Sequence, residues 1–328
     1  MMSLIAIRTL GVLATSIQKN RHIGMGTWNG GVKMSLETIF TTGTLAKGYR
    51  EIAAWYAMHS LDIEAAQICL PFFGFGRLAS AMCQDYTTID SCDFQRLSSA
   101  IWAGVFAATE YRTNITQPKF RKGPAVAGEF LKGEKYAPDL RSAGFIDYVT
   151  RRGTDLDIAC LGMAIPAQTL RGWLTQWTGN FESFWTKFCQ LRYACAPQVD
   201  MPGTWNHFEA DLFEILGQFR PAGYDVLAID PPRLCPTTDL YSRGWAHLNH
   251  VLGGTVTIQP WTARNYTHKL QQVFTIPSRY ALFSWTEGDG PPYRKDIEYW
   301  LSSHGQVEDQ AKWQTYGKTI HGWRIKRM

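Results

Sequence analysis

The sequence lacks the patterns that mark several large classes of protein. Its seven cysteines include no Cys-x-x-Cys pair and its eight histidines no His-x-x-x-His pair, so we expect neither a disulfide framework nor a metal site. The apolar run from Ser3 to Ile17 is short and broken by Arg8, and it predicts neither a transmembrane helix nor a signal peptide. No internal repeat or low-complexity tract is present. We therefore expect a protein of the cytoplasm, or a viral protein acting in the host cytoplasm, with no membrane partner.

The composition is that of an ordinary globular protein. Hydrophobic residues make up 45% and charged residues 19% of the 328 residues, which is enough for a sizeable core. The formal net charge of +5 permits a nucleic-acid partner without requiring one.

Three zones of the chain differ in texture. Residues 1–110 and 206–328 alternate strand-like and helix-like runs, whereas residues 111–205 are first basic and then helical and aromatic. Alternation on both sides of an irregular insert predicts an α/β protein with one doubly wound, Rossmann-like sheet, interrupted by a mainly helical module.

The expected elements place the motifs found below. Strands are predicted at 67–70 and 87–90 in the first zone, and at 225–229 and 279–283 in the third. An amphipathic helix near Arg294–Ser303 and a short basic segment are expected to end the chain.

The first motif, Pro71-Phe-Phe-Gly-Phe-Gly76, follows a predicted strand and precedes a predicted helix. Glycines there permit a tight turn and a close approach of backbone to ligand. The second predicted strand ends in Asp90, an acid placed to accept hydrogen bonds from both hydroxyls of a ribose. No third glycine and no Gly-Lys-Ser/Thr follows, and Phe75 would crowd a pyrophosphate, so we expect a nucleoside-bearing cofactor without phosphates.

The second motif, Asp230-Pro231-Pro232-Arg233, ends the strand predicted at 225–229. Consecutive prolines cannot continue a central strand, so the chain must leave the sheet at its carboxyl edge, where α/β proteins bind ligands. The Asp230 carboxylate and the Pro231 carbonyl together offer acceptors for both hydrogens of an exocyclic amine. Such contacts make a base amine more nucleophilic and stabilise the positive charge that develops on it.

In this order the motifs resemble those of the DNA adenine-N6 methyltransferase superfamily, specifically class α, the group like the bacterial Dam methylases. The resemblance implies S-adenosyl-L-methionine as cofactor, double-stranded DNA as partner and a flipped adenine as target. It implies a catalytic set and a cofactor-binding set. The catalytic residues are Asp230, Pro231, Pro232 and Arg233, and the cofactor-binding residues are Pro71, Phe72, Gly74, Gly76, Asp90 and Lys47. Lys47 belongs to Gly43–Lys47, which looks like the N-terminal cofactor motif; Trp28–Lys33 is the rival segment.

The sequence departs from that family in two places. Leu70 stands where an acid usually precedes the Pro-Phe pair, and Arg233 replaces the aromatic residue that stacks on the extruded base. A guanidinium plane also stacks on a base, and Tyr241 or Trp285 offers an alternative ring.

Basic residues of the middle zone are the candidates for contact with DNA phosphates, because such contacts offset the cost of extruding a base. The predicted DNA-binding residues are Lys119, Arg121, Lys122, Arg151 and Arg152, together with Tyr241. Cytosine-N4 methylation, RNA methylation, and a non-catalytic DNA-binding role on a degenerate methyltransferase scaffold remain open alternatives. The sequence indicates no oligomeric state.

Overall fold

The computed structural model describes residues 49–83, 87–107, 119, 139–168, 180–195, 204–232, 248–256, 261–288, 292–315 and 318–327. Within these residues seven strands form one sheet in the order β3-β2-β1-β4-β5-β7-β6. The strands are β1 (Gln67–Leu70), β2 (Thr88–Asp93), β3 (Trp205–Glu209), β4 (Tyr224–Ile229), β5 (Ser278–Thr286), β6 (Gly305–Thr315) and β7 (Lys318–Arg327).

The first five strands are parallel to one another, whereas β7 is antiparallel to both β5 and β6. The order reverses between β1 and β4, so the crevice beyond their carboxyl ends is the topological switch point, where ligands bind in open α/β sheets. This confirms the predicted α/β, Rossmann-like fold.

Helices cover both faces of the sheet, as a doubly wound fold requires. They are α1 (Tyr49–Asp62), α2 (Arg77–Met82), α3 (Arg96–Ile101), α4 (Leu140–Arg152), α5 (Asp155–Gln168), α6 (Phe181–Cys195), α7 (Leu212–Ile215), α8 (Tyr266–Val273) and α9 (Arg294–Ser302). A π-helical segment, Trp102–Phe106, continues α3. Apolar side chains of α7, α8 and α9 join those of β1, β4 and β5 in the core on one face. On the other face, α1 reaches β4 through the Tyr56 hydroxyl, which donates to the Ile229 carbonyl at 2.7 Å.

Helix α5, within the predicted insert, is packed tightly on the segment that precedes the insert. A Cβ on Gly104 would overlap the backbone of Leu156, so glycine lets the middle of the π-helical segment touch α5 directly. An ion pair of 2.6 Å between Arg96 and Asp155 reinforces this contact. The division of the chain at residues 110 and 205 stays a prediction.

Two strand expectations need correction. Strand β2 runs to Asp93, beyond the predicted end at Asp90. The segment expected to be a short basic tail forms the antiparallel pair β6 and β7. The sequence pattern of β6 is weak because the residues that alternate with the exposed ones are only half-buried and include the charged Asp309.

Candidate active site

The two motifs lie beside each other at the carboxyl edge of the sheet. Strands β1 and β4 are paired through Ile68 with Val226 and Cys69 with Leu227. Each motif starts directly after its strand, so Pro71 and Asp230 leave neighbouring strands at the switch point.

The two glycines of the first turn, Gly74 and Gly76, have different surroundings. Gly74 has a φ of +55° and no heavy atom within 4 Å of where a Cβ would stand, so this part of the turn faces open space. Gly76 has a φ of +75°, and a Cβ there would overlap the rings of Phe73 and Phe106. Gly76 therefore serves the packing of the turn, whereas Gly74 leaves room for a ligand.

The remaining residues of this turn tie it to the sheet. The Phe73 amide donates to the Cys92 carbonyl at 2.9 Å, and the Phe72 ring meets the Trp261 ring edge-on at 5.5 Å. Pro71 is buried. Phe75 is only 7% exposed, so its ring is packed within the protein.

Asp90 lies inside β2 and is fully engaged by protein groups. Its carboxylate accepts hydrogen bonds from Asn206 Nδ2 at 2.7 Å, Arg220 Nε at 2.7 Å and the Tyr224 hydroxyl at 2.8 Å. Burial by itself raises the pKa of Asp90, but these hydrogen bonds, that from Arg220 foremost, outweigh burial and lower it. Asp90 therefore has the surroundings of a structural ion pair.

Asp93 is the acid at the end of β2. One carboxylate oxygen accepts the Gly74 amide at 2.8 Å, and the other accepts the Gln95 amide at 3.0 Å. Burial raises the pKa of Asp93 to about 6, although these amides oppose the shift. Sequence reasoning missed Asp93 because it ended the strand three residues early; the available signal was that Asp93, not Asp90, immediately precedes the next predicted helix.

Asp230 is the acid at the end of the neighbouring strand β4. It is half-buried, and its Oδ1 accepts the Ser284 hydroxyl at 2.5 Å. Pro231 is buried and Pro232 is half-buried. Burial and the charge of Asp230 both raise the pKa of Tyr56, so its phenol stays protonated at neutral pH and remains a donor. The sequence analysis gave neither Ser284 nor Tyr56 a role in the site. A serine within the buried run 281–285 does indicate a hydroxyl that needs a hydrogen-bond partner.

Several predicted site residues fall in parts of the chain that the structure does not describe. Lys47, Arg121, Lys122, Arg233 and Tyr241 lie outside the described residues, as do both N-terminal candidate segments.

The other predicted contacts have ordinary surroundings. Lys119 is exposed, and Arg151 and Arg152 are exposed in the last turn of α4, where Arg151 pairs with Asp147 at 2.8 Å. Trp285, a candidate stacking ring, is 3% exposed and stacks on His321, so it belongs to the core.

The described residues include neither a candidate metal site nor a candidate membrane span. No cluster of three or more histidine, cysteine or acidic side chains there is arranged to hold a metal ion. No helix in that part of the chain has the length and apolar character needed to cross a bilayer.

Comparison with known proteins adds two structural similarities. No protein-family model matches the sequence, and no curated protein matches it. A magnesium protoporphyrin IX methyltransferase from Synechocystis with bound S-adenosylmethionine is similar at 11% identity, with 96% of this chain and 92% of that chain covered and a TM-score of 0.36. The same enzyme with bound S-adenosylhomocysteine gives 9% identity, coverage of 96% and 95%, and a TM-score of 0.37. Similarity at this level does not indicate the function of this chain.

Proposed function

We propose that this protein is an S-adenosylmethionine-dependent methyltransferase acting on the exocyclic amine of a DNA base, adenine N6. The observation that supports this most directly is the position of the two motifs, which leave the adjacent strands β1 and β4 at the switch point. A donor site and an acceptor site must be neighbours for direct transfer between them. The motif order adds the resemblance to class α adenine methyltransferases.

The residues of the first turn fit a nucleoside cofactor better than a dinucleotide. Asp93 accepts the Gly74 amide, and so occupies a backbone donor that a phosphate would otherwise use. The Asp93 carboxylate at this place would also repel a phosphate. Asp93 ends β2 directly beside the first turn, a position from which an acid can reach the ribose of a nucleoside cofactor. Gly74 and Asp93 would therefore hold the cofactor, with Asp93 taking the role first assigned to Asp90.

The second turn supplies the groups that act on the substrate. The bound cofactor supplies a methyl group activated by a sulfonium. The Asp230 carboxylate and the Pro231 carbonyl accept the two hydrogens of the target amine, which keeps the nitrogen lone pair out of the ring and directed at the methyl group. As the nitrogen becomes positive, the negative Asp230 stabilises it, and this stabilisation is larger in the transition state than in the ground state.

Adenine in DNA is the preferred substrate because of the family resemblance and the basic middle zone. Extrusion of a base costs a few kcal/mol, which phosphate contacts by Lys and Arg offset. By the same resemblance, Arg233 would take the role of the ring that stacks on the base, through its guanidinium plane.

The experiment incubates the protein with labelled S-adenosylmethionine and unmethylated genomic DNA, followed by mass spectrometry of the nucleosides. N6-methyladenine is the expected product. Detection of N4-methylcytosine, or of label in RNA alone, would change the assigned substrate but not the assigned class of reaction. Calorimetry that detects no S-adenosylmethionine binding, while duplex DNA still binds with a steep salt dependence, would overturn the enzyme assignment in favour of a non-catalytic scaffold.

A further inference from the structure

We infer that Ser284 and Tyr56 are positioning residues that fix the Asp230 carboxylate in the orientation needed to receive the substrate amine. This inference rests on the proposed function and deepens it, since both residues act through Asp230. The evidence is a pair of buried hydroxyl contacts at the point where β4 ends.

The packing around Ser284 does not require a polar side chain at this position. It is 0% exposed, and its neighbours Leu282, Phe283 and Trp285 in β5 are all buried and apolar. A hydroxyl in such a place costs free energy unless it is hydrogen-bonded. Its bond to Asp230 Oδ1, at 2.5 Å, meets that requirement and joins β5 to the end of β4. An alanine would suit the strand equally well, so the hydroxyl is explained by the carboxylate.

Tyr56 makes the matching contact from the helix layer. It is 0% exposed in α1, and its hydroxyl donates to the carbonyl of Ile229, the residue before Asp230, at 2.7 Å. Tyr56 also lies within hydrogen-bonding reach of Ser284. A phenylalanine would fill the same volume. What the Tyr56 hydroxyl adds is a hydrogen bond that fixes the backbone where the Asp-Pro-Pro turn begins.

The two contacts together restrict different motions of Asp230. Tyr56 holds the peptide from which the Asp230 side chain projects, and Ser284 holds the rotation of the carboxyl group itself. Catalytic groups lose rate steeply when they are misplaced, because alignment supplies much of the acceleration. The loss should appear in kcat, since cofactor and DNA bind through other residues.

The experiment measures kcat, KM for DNA and S-adenosylmethionine affinity for wild type, Ser284→Ala, Ser284→Thr and Tyr56→Phe. We expect kcat to fall by roughly tenfold or more in Ser284→Ala and by less in Tyr56→Phe, with KM and cofactor affinity within about twofold of wild type. Ser284→Thr, which keeps the hydroxyl, should restore most of kcat. A uniform loss of activity and folding in all variants would instead mark a structural role and overturn the inference.

Ser142→Ala is the matched control. Ser142 is also 0% exposed and donates to an aspartate, Asp139, at 2.7 Å, but it lies in α4 rather than at the edge of the sheet. Removing this hydroxyl should leave kcat unchanged. If both Ser284→Ala and Tyr56→Phe keep wild-type kcat, the inference is wrong even though the proposed function stands.

Crystal structures of wild type, Tyr56→Phe and Ser284→Ala separate the two proposals. We expect one orientation of the Asp230 carboxylate in wild type and a rotated or split one in Ser284→Ala. Should wild type methylate no nucleic acid, the proposed function falls, and this comparison still decides whether Ser284 orients Asp230. An unchanged carboxylate in both variants would refute the positioning role.

Discussion

The interior of strand β2 and its carboxyl end each hold an aspartate, and the structure gives the two acids opposite surroundings. Asp90, in the interior, accepts bonds from a guanidinium, an amide and a phenol. Asp93, at the end, accepts the backbone amides of Gly74 and Gln95. The charge of Asp90 is neutralised by a cation within the fold, whereas Asp93 is held by amides at the carboxyl edge of the sheet, where a ligand could reach it. Asp230, at the end of β4, resembles Asp93 because it also lies at the carboxyl edge of the sheet. Replacing an edge acid should therefore change binding or catalysis, and replacing the interior acid should change folding.

The largest effect is expected at Asp230. Asp230→Ala should reduce methyl transfer by about a thousandfold, because the developing positive charge loses its stabilising partner. Cofactor affinity should stay within about twofold, since the first turn holds the cofactor. Single-turnover transfer of a labelled methyl group measures the rate, and calorimetry measures the affinity. A variant that keeps more than a tenth of the wild-type rate would remove Asp230 from the reaction.

The next effect concerns folding. Asp90→Ala should lower the free energy of unfolding by about 2 kcal/mol, because Asn206, Arg220 and Tyr224 lose their shared acceptor while Arg220 remains partly solvated. Urea denaturation followed by circular dichroism measures this change. Loss of cofactor affinity with unchanged stability would be the opposite result, and it would return Asp90 to the ribose site.

A smaller effect is expected from Asp93→Asn. The substitution keeps one acceptor oxygen but removes the charge, so S-adenosylmethionine affinity should fall by about tenfold, or ~1.4 kcal/mol. The free energy of unfolding should change by less than about 1 kcal/mol, because the buried charge is removed while one of the two backbone amides loses its acceptor. Calorimetry and urea denaturation on the same preparation test both halves of the statement. Equal affinity in variant and wild type would contradict the edge assignment.

The smallest effect is a pH dependence from the same acid. The pKa of Asp93 is raised to about 6, so its contribution to stability is present below pH ~4 and is lost as the pH rises through about 6. Cofactor binding has the opposite sign if it requires the ionised acid. Affinity should then be about twofold weaker at pH 6 than at pH 7, and the difference should vanish in Asp93→Asn. A dependence that persists in that variant must come from another group.

The sequence predicted the parts of this site that depend on local pattern. Strand β1 has the predicted bounds, and β4 starts one residue before them, because apolar runs that end in glycine or proline are strong signals. The surroundings of Asp90 could not be predicted, because they depend on Arg220 and Tyr224, which are more than a hundred residues away in the chain. Ser284 and Tyr56 were missed for the same reason, since their roles exist only once β5 and α1 meet the end of β4.

The contact at Gly104 has a consequence for engineering this protein. Because the backbone of Leu156 lies where a side chain at position 104 would be, the middle segment cannot be exchanged as a cassette whose only connections are its two chain ends. A chimaera that swaps residues 111–205 would have to carry the segment around Gly104 with it, or find a donor whose helix crosses at the same close distance. Variants of the middle segment should therefore fold more readily when made by point substitutions than by grafting.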